Sequence, residues 1–122
     1  MTMAKIEYMS YDENVDHLTI YKADEEIISN IDTGLVILSF NKKKEIVGME
    51  FMGANKNFKI PLDILKNLKD CNVEIRYNPN RKFIVISAVL KYQKKQSPFT
   101  FSSKMDLGKN PMNEEFACYP TI

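Results

Sequence analysis

The sequence predicts an α+β domain: mostly an antiparallel β-sheet of about six to eight strands, with one amphipathic helix over residues 61–70. Three observations carry this expectation. Apolar and polar residues alternate in Leu18-Thr19-Ile20, in Val73-Glu74-Ile75-Arg76-Tyr77 and around Phe99 and Phe101, the period of a strand with one buried face. Nearly unbroken apolar runs occupy Leu35 to Phe40, Ile46 to Met52 and Phe83 to Leu90, as in strands buried on both sides. Behind Pro61, Leu62, Leu65 and Leu68 recur three apart with Lys66 and Lys69 between them, which is helical spacing.

Taken in order, Ile6 to Tyr11 reads as a first strand, closed by the turn-like run Tyr11-Asp12-Glu13-Asn14. Val15 to Tyr21 returns as its hairpin partner, with Leu18 and Ile20 on one face and His17, Thr19 and Tyr21 on the other. Ala23 to Asp32 is acidic and then apolar at Ile27, Ile28 and Ile31, a short strand or edge segment before Gly34. Leu35–Phe40 and Ile46–Met52 flank the polar loop Asn41-Lys42-Lys43-Lys44-Glu45 and form a second hairpin of central strands. The helix over Pro61 to Asp70 packs across the sheet. Val73–Tyr77 and Phe83–Leu90 then form a third hairpin around Asn78-Pro79-Asn80-Arg81. Lys91 to Gln96 is polar and basic, Ser97 to Ser103 is one more strand, and residues 104–122, with Gly108, Pro111 and Pro120, read as an irregular tail.

A length of 122 residues fits one domain, 1–122, with one core. At 44% hydrophobic and 27% charged residues the composition is that of a folded domain rather than a disordered or fibrous chain. Seventeen basic residues against sixteen acidic ones leave a net charge of +1, which supplies no global field toward nucleic acid or anionic lipid. The start of the chain has no apolar run of signal-peptide length and no stretch approaches a membrane span, so the expected setting is cytoplasmic. Cys71 and Cys118 then read as two thiols of a reducing compartment, with a disulfide as the alternative.

The pieces Tyr11-Asp12-Glu13, Asp16-His17-Leu18-Thr19-Ile20, Gly34-Leu35-Val36 and Ile46-Val47-Gly48-Met49-Glu50, followed by Gly53-Ala54-Asn55-Lys56, stand in a familiar order and spacing. Over residues 8–58 the chain resembles the small family called domain of unknown function 2283. The resemblance implies a compact β-rich fold with a helix and no defined activity; some members look like neighbours of toxin-like proteins. The chain departs from the family pattern in one turn. There the family is typically acidic and closed by Gly, whereas here Lys42-Lys43-Lys44 precedes Glu45 and Ile46.

The family-like polar residues are Asp12, Asp16 and Glu50, and three carboxylates that meet could hold a hard cation or exchange protons. Each also has a structural reading: Asp12 as an Asx-turn acceptor, Asp16 at the start of a strand, Glu50 alternating outward from Met49 and Phe51. His17, the one histidine, falls opposite Leu18 and Ile20, on a solvated face. No phosphate-binding glycine loop, paired-cysteine motif, catalytic triad context or cofactor signature is present, so the reading leans away from an enzyme and names no cofactor. Lys42–Lys44 and Lys91–Lys95, with Arg76, Arg81, Tyr77 and Tyr92, would have to converge to bind single-stranded nucleic acid, and their reading is of solvated loops and strand ends. The expected function is a non-catalytic, self-associating protein-interaction module, a homodimer formed by pairing of sheet edges and motivated by the apolar runs Leu35 to Leu38 and Phe83 to Leu90 and by the Phe99 and Phe101 alternation, which would supply an exchanged or edge strand. The alternatives are an antitoxin-like partner of a small toxin and a ligand- or metal-binding protein using Asp12, Asp16 and Glu50.

Overall fold

Strand follows strand with one interruption in the computed structural model, which describes residues 7–120. The order is β1 (Glu7–Asp12), β2 (His17–Lys22), β3 (Ser29–Asp32), β4 (Val36–Phe40), β5 (Ile46–Met52), the helix α1 (Leu62–Lys66), β6 (Asp70–Asn78), β7 (Phe83–Tyr92), β8 (Lys95–Lys104) and β9 (Met112–Pro120). Ile6, expected in the first strand, lies outside the described residues. The nine strands form one sheet in the order β3-β4-β5-β2-β1-β9-β6-β7-β8. No helix of the described residues is long and apolar enough to cross a membrane.

Alternation decides which face is buried. Leu18 and Ile20, Val36, Leu38 and Phe40, Val73, Ile75 and Tyr77, and Ile84, Ile86, Ala88 and Leu90 all point to one side and are buried there, so a single apolar face runs across the sheet. A flat sheet would leave that face half wet. Instead it curls: Phe51 of β5, third in the order, meets Phe99 of β8, the last, with ring centroids 5.0 Å apart and planes at 89°. Phe58, on the connection after β5, packs edge-on against both, at 5.5 and 5.8 Å. Ile60, Ile64 and Leu65 add to the same core from the connection and α1. The result is an open half-barrel closed around one core.

This corrects the expected α+β class: the fold is nearly all β, with nine strands rather than about six to eight. The helix expected over 61–70 is five residues long. Asn67 leaves the helical region at φ −128°, and its side-chain amide donates to the Asp63 carbonyl at 2.8 Å, ending α1 after one turn. Ile64 and Leu65 are the buried pair and Leu68 packs partly buried against the same core, while Leu62 is 42% exposed, so only part of the stripe Leu62-Leu65-Leu68 faces inward. By Asp70 the backbone has entered the ladder with β7, which runs from Asp70↔Lys91 to Asn78↔Phe83. That long ladder outweighs a second helical turn.

The irregular tail expected over 104–122 is corrected as well, because Met112–Pro120 is β9. β9 pairs antiparallel with β6 and, at its end, parallel with β1 through Tyr8↔Tyr119 and Met9↔Pro120. It is the strand that joins the two halves of the sheet. Its periodicity is masked by a charge on the inner face: Glu114 stands opposite buried Ile75 and meets Lys22 Nζ at 3.6 Å.

Candidate functional site

Asp16 sits at the end of the β1–β2 turn, in the left-handed region at φ 57°, a conformation Asp tolerates better than most side chains. From there its carboxylate reaches across the fold. Oδ1 accepts from the Tyr11 hydroxyl at 2.6 Å and from the Asn55 amide at 2.9 Å, and Oδ2 accepts from the Lys56 amide at 3.1 Å. Its backbone carbonyl accepts from the amides of Gly53 and Ala54, each at 2.9 Å. Burial alone would raise the Asp16 pKa, but the bonds from Tyr11, Asn55 and Lys56 outweigh it and hold the carboxyl below its ordinary value. Tyr11, desolvated and bonded to that carboxylate, is pushed up to about 12.

The other two candidates make contacts of their own. Asp12 is exposed and its Oδ1 accepts from the Asn14 amide at 3.0 Å, an Asx turn as the sequence suggested. Glu50 points outward from β5 and meets His17 Nδ1 at 2.5 Å. The register explains that contact: Glu50 stands opposite Thr19 and His17 opposite Met52, so the two are diagonal neighbours on the outer face. Among the described residues no group of three or more His, Cys, Asp or Glu side chains is placed to hold a metal ion. The Asp16 contacts tie a turn to a loop.

The basic segments are also separated. Lys43 and Lys44 line a surface hollow with Leu107 to Glu114, beside the end of β6, where the Tyr77 hydroxyl accepts from the Leu107 amide at 2.8 Å. Lys91 to Lys95 lie at the opposite end of β7, where Lys95 pairs with Asp63 at 2.6 Å. Tyr77 is buried, and Arg76 is engaged by Glu74 and Asn113.

The sheet has two edges, and they differ. β8 carries Pro98, which has no amide to offer, and ends in Lys95 and Lys104, the devices that blunt an edge. β3 has neither. All four of its residues are exposed, and Ile27, Ile28, Ile31 and Leu35 around it are 50%, 56%, 37% and 44% exposed. The edge is nonetheless well built. Thr33 N donates to Val36 O at 2.9 Å, Gly34 N donates to Asp32 Oδ1 at 2.8 Å, and Ser39 Oγ donates to Asn30 Oδ1 at 2.8 Å. Because Thr33 and Val36 are a hydrogen-bonded pair, alternation turns Ile31 and Ser29 toward β4 and leaves the peptide groups of Asn30 and Asp32 facing outward. The sequence marked this segment only as a weak strand; the isoleucines, too many for a solvated loop, were its signal.

Comparison with known proteins supports the resemblance. Residues 9–55 match the family described as "Protein of unknown function (DUF2283)". An uncharacterized protein of Methanocaldococcus jannaschii is 31% identical over 61 residues, 49% of this chain and 53% of the relative, so the chain spans about half the length of the curated relative it matches. No solved structure matches. The matched residues begin in β1 and end in the loop held by Asp16, so they contain the whole of β3 and exclude α1 and β6 to β9.

Proposed function

We propose that this chain, similar over residues 9–55 to a family of unknown function, is a non-catalytic module that associates with a second copy of itself through the outer edge of β3. The observation that carries the reading is the contrast between the two edges: β8 is protected by Pro98 and lysines, while β3 presents outward peptide groups amid four exposed apolar side chains. A two-fold axis offers one favourable register. Placing Asn30 opposite Asp32 of the second copy pairs the outward peptide groups and sets Ile31 against its own mate, close enough for apolar contact and with the two Asp32 carboxylates apart. Ile27, Ile28 and Leu35 extend the contact at either end.

The test is native mass by light scattering over a concentration series, with Asn30→Pro and Ile31→Lys as probes. Asn30→Pro removes an amide that faces away from β4, so it leaves the fold intact by circular dichroism while abolishing a dimer. A mass of one chain at 100 micromolar wild-type protein, on the order of ten times a modest dissociation constant, refutes self-association. A wild-type monomer that is captured stoichiometrically by a small protein, and released by Asn30→Pro, transfers the same edge to a foreign strand.

A further inference from the structure

Cys71 and Cys118 are far apart in sequence, yet the ladder between β6 and β9 places them directly opposite one another. Opposed residues of an antiparallel pair project to the same face with Cα atoms roughly 4.5–5.5 Å apart, inside the roughly 4.4–6.8 Å that a disulfide spans. Both side chains are fully buried in the core, and no disulfide joins them in the structure. Their place in the sheet matters. Cys118 immediately precedes Tyr119 and Pro120, through which, among the described residues, β9 pairs with β1 and so connects the halves of the half-barrel.

We propose that Cys71 and Cys118 are a modification site: in the presence of a low-molecular-weight disulfide they form a reversible cross-strand disulfide that clamps β9 to β6 at the seam of the sheet. The exchange is balanced. One cysteine thiolate attacks the reagent disulfide and releases one reagent thiol; the second cysteine attacks the resulting mixed disulfide and releases the other. One sulfur–sulfur bond forms in the protein as one breaks in the reagent, and the two protons leave on the released thiols. Burial pushes the Cys71 thiol up to about 12, so attack proceeds from molecules in which the end of β9 has lifted from β6 rather than from the closed sheet. Among the described residues β9 meets β1 through Tyr8↔Tyr119 and Met9↔Pro120, beside Cys118, so the same opening exposes this seam. Once formed, the bond closes a loop of about 50 residues and holds the opened segment shut.

The experiment incubates native protein with mixtures of glutathione and glutathione disulfide, then reads thiol content, intact mass and a non-reducing peptide map. The expected result is joint loss of both thiols, a mass lower by two hydrogens, one linked peptide pair containing Cys71 and Cys118, and full reversal by excess glutathione. The melting temperature of the oxidised form rises by on the order of 10 °C, and amide exchange of Cys118 and Tyr119 slows. Cys118→Ser retains glutathione on Cys71 instead, since no second cysteine resolves the mixed disulfide. Two persistent thiols at every ratio overturn the proposal, as does a stable glutathione adduct on the wild type or a link between chains. A bond that forms only in urea and prevents return of the native spectrum also overturns it.

Discussion

Removing the acceptors at Asp16 should loosen the connection between the β1–β2 turn and the loop after β5, and the structure sets the size of the effect. Three bonds converge on the carboxylate, from Tyr11 Oη, Asn55 N and Lys56 N. A hydrogen bond to a charged group contributes about 1.5–3 kcal/mol when buried; partial exposure reduces each to about 1 kcal/mol, giving about 3 kcal/mol for the three. Asp16→Ala also places a Cβ without a polar end at φ 57°, adding about 1 kcal/mol, so the expected loss is about 4 kcal/mol. Asp16→Asn tolerates that backbone and keeps one acceptor oxygen, but turns a donor toward the Lys56 amide; the expected loss is about 1–2 kcal/mol. Urea unfolding at pH 7 reads both. The pH dependence has a definite sign: the Asp16 carboxyl is lowered in the fold, so its contribution is fully present above the unfolded value near pH 4 and fades as pH falls through the lower folded value. The gap between wild type and Asp16→Asn should therefore narrow in acid. If Asp16→Ala unfolds within 1 kcal/mol of wild type, or the gap widens on acidification, the carboxylate does not hold this junction.

Four further outcomes follow from the same geometry. Tyr11 is raised to about 12, so one tyrosine should ionise last in an ultraviolet titration, with stability lost between its unfolded value near pH 10 and that limit; in Asp16→Asn its ionisation should move down, and an unchanged curve would dissociate the two groups. Lys44 occupies φ 63° in the turn where the resembled family closes with Gly, so Lys44→Gly should stabilise by about 0.5 kcal/mol after the glycine's own entropy is offset, and a lower urea midpoint would contradict the strain. Gly53 lies at φ +73° and an added Cβ would come within 2.1 Å of Asn57 Nδ2, which donates to Met52 O; Gly53→Ala should cost about 2 kcal/mol, and a neutral result would mean that the loop refolds around it. Phe99→Ala removes the ring that bridges β8 to Phe51 and Phe58, with an expected loss of about 3 kcal/mol by calorimetry; a loss below 1 kcal/mol would show that the curl of the sheet does not depend on it.

What the sequence made legible was local. The hairpins β1–β2, β4–β5 and β6–β7 follow from alternation and turn residues a few positions apart, and the Phe99 and Phe101 alternation located β8. The misread parts depend on partners distant in sequence. Leucines three apart behind a proline are a fair helix signal, but the nine-residue strand that begins at Asp70 takes the backbone before a second turn forms. β9 has the right period, yet its inner face carries Glu114, whose ion pair with Lys22 of β2 no reading of residues 112–120 could supply. The turns offered little warning either: Lys44, Lys82 and Gln93 adopt positive φ where glycine or asparagine would have announced it.

The candidate carboxylates show the same division from the side of function. Asp16 and the run Gly53-Ala54-Asn55-Lys56 stood out as family-like pieces with no visible relation, and the fold joins them: four consecutive amides converge on one aspartate, two on its carbonyl and two on its carboxylate. An aspartate so engaged has little left for a cation or substrate, which moves attention from the polar motif to what it stabilises. It closes the ends of the segment that carries β3, the edge strand without a proline or lysine guard. A knot that rigidifies the frame of an unprotected edge, rather than covering that edge, is what a strand-pairing surface requires, since an edge kept in fixed register loses less entropy when a second strand joins it.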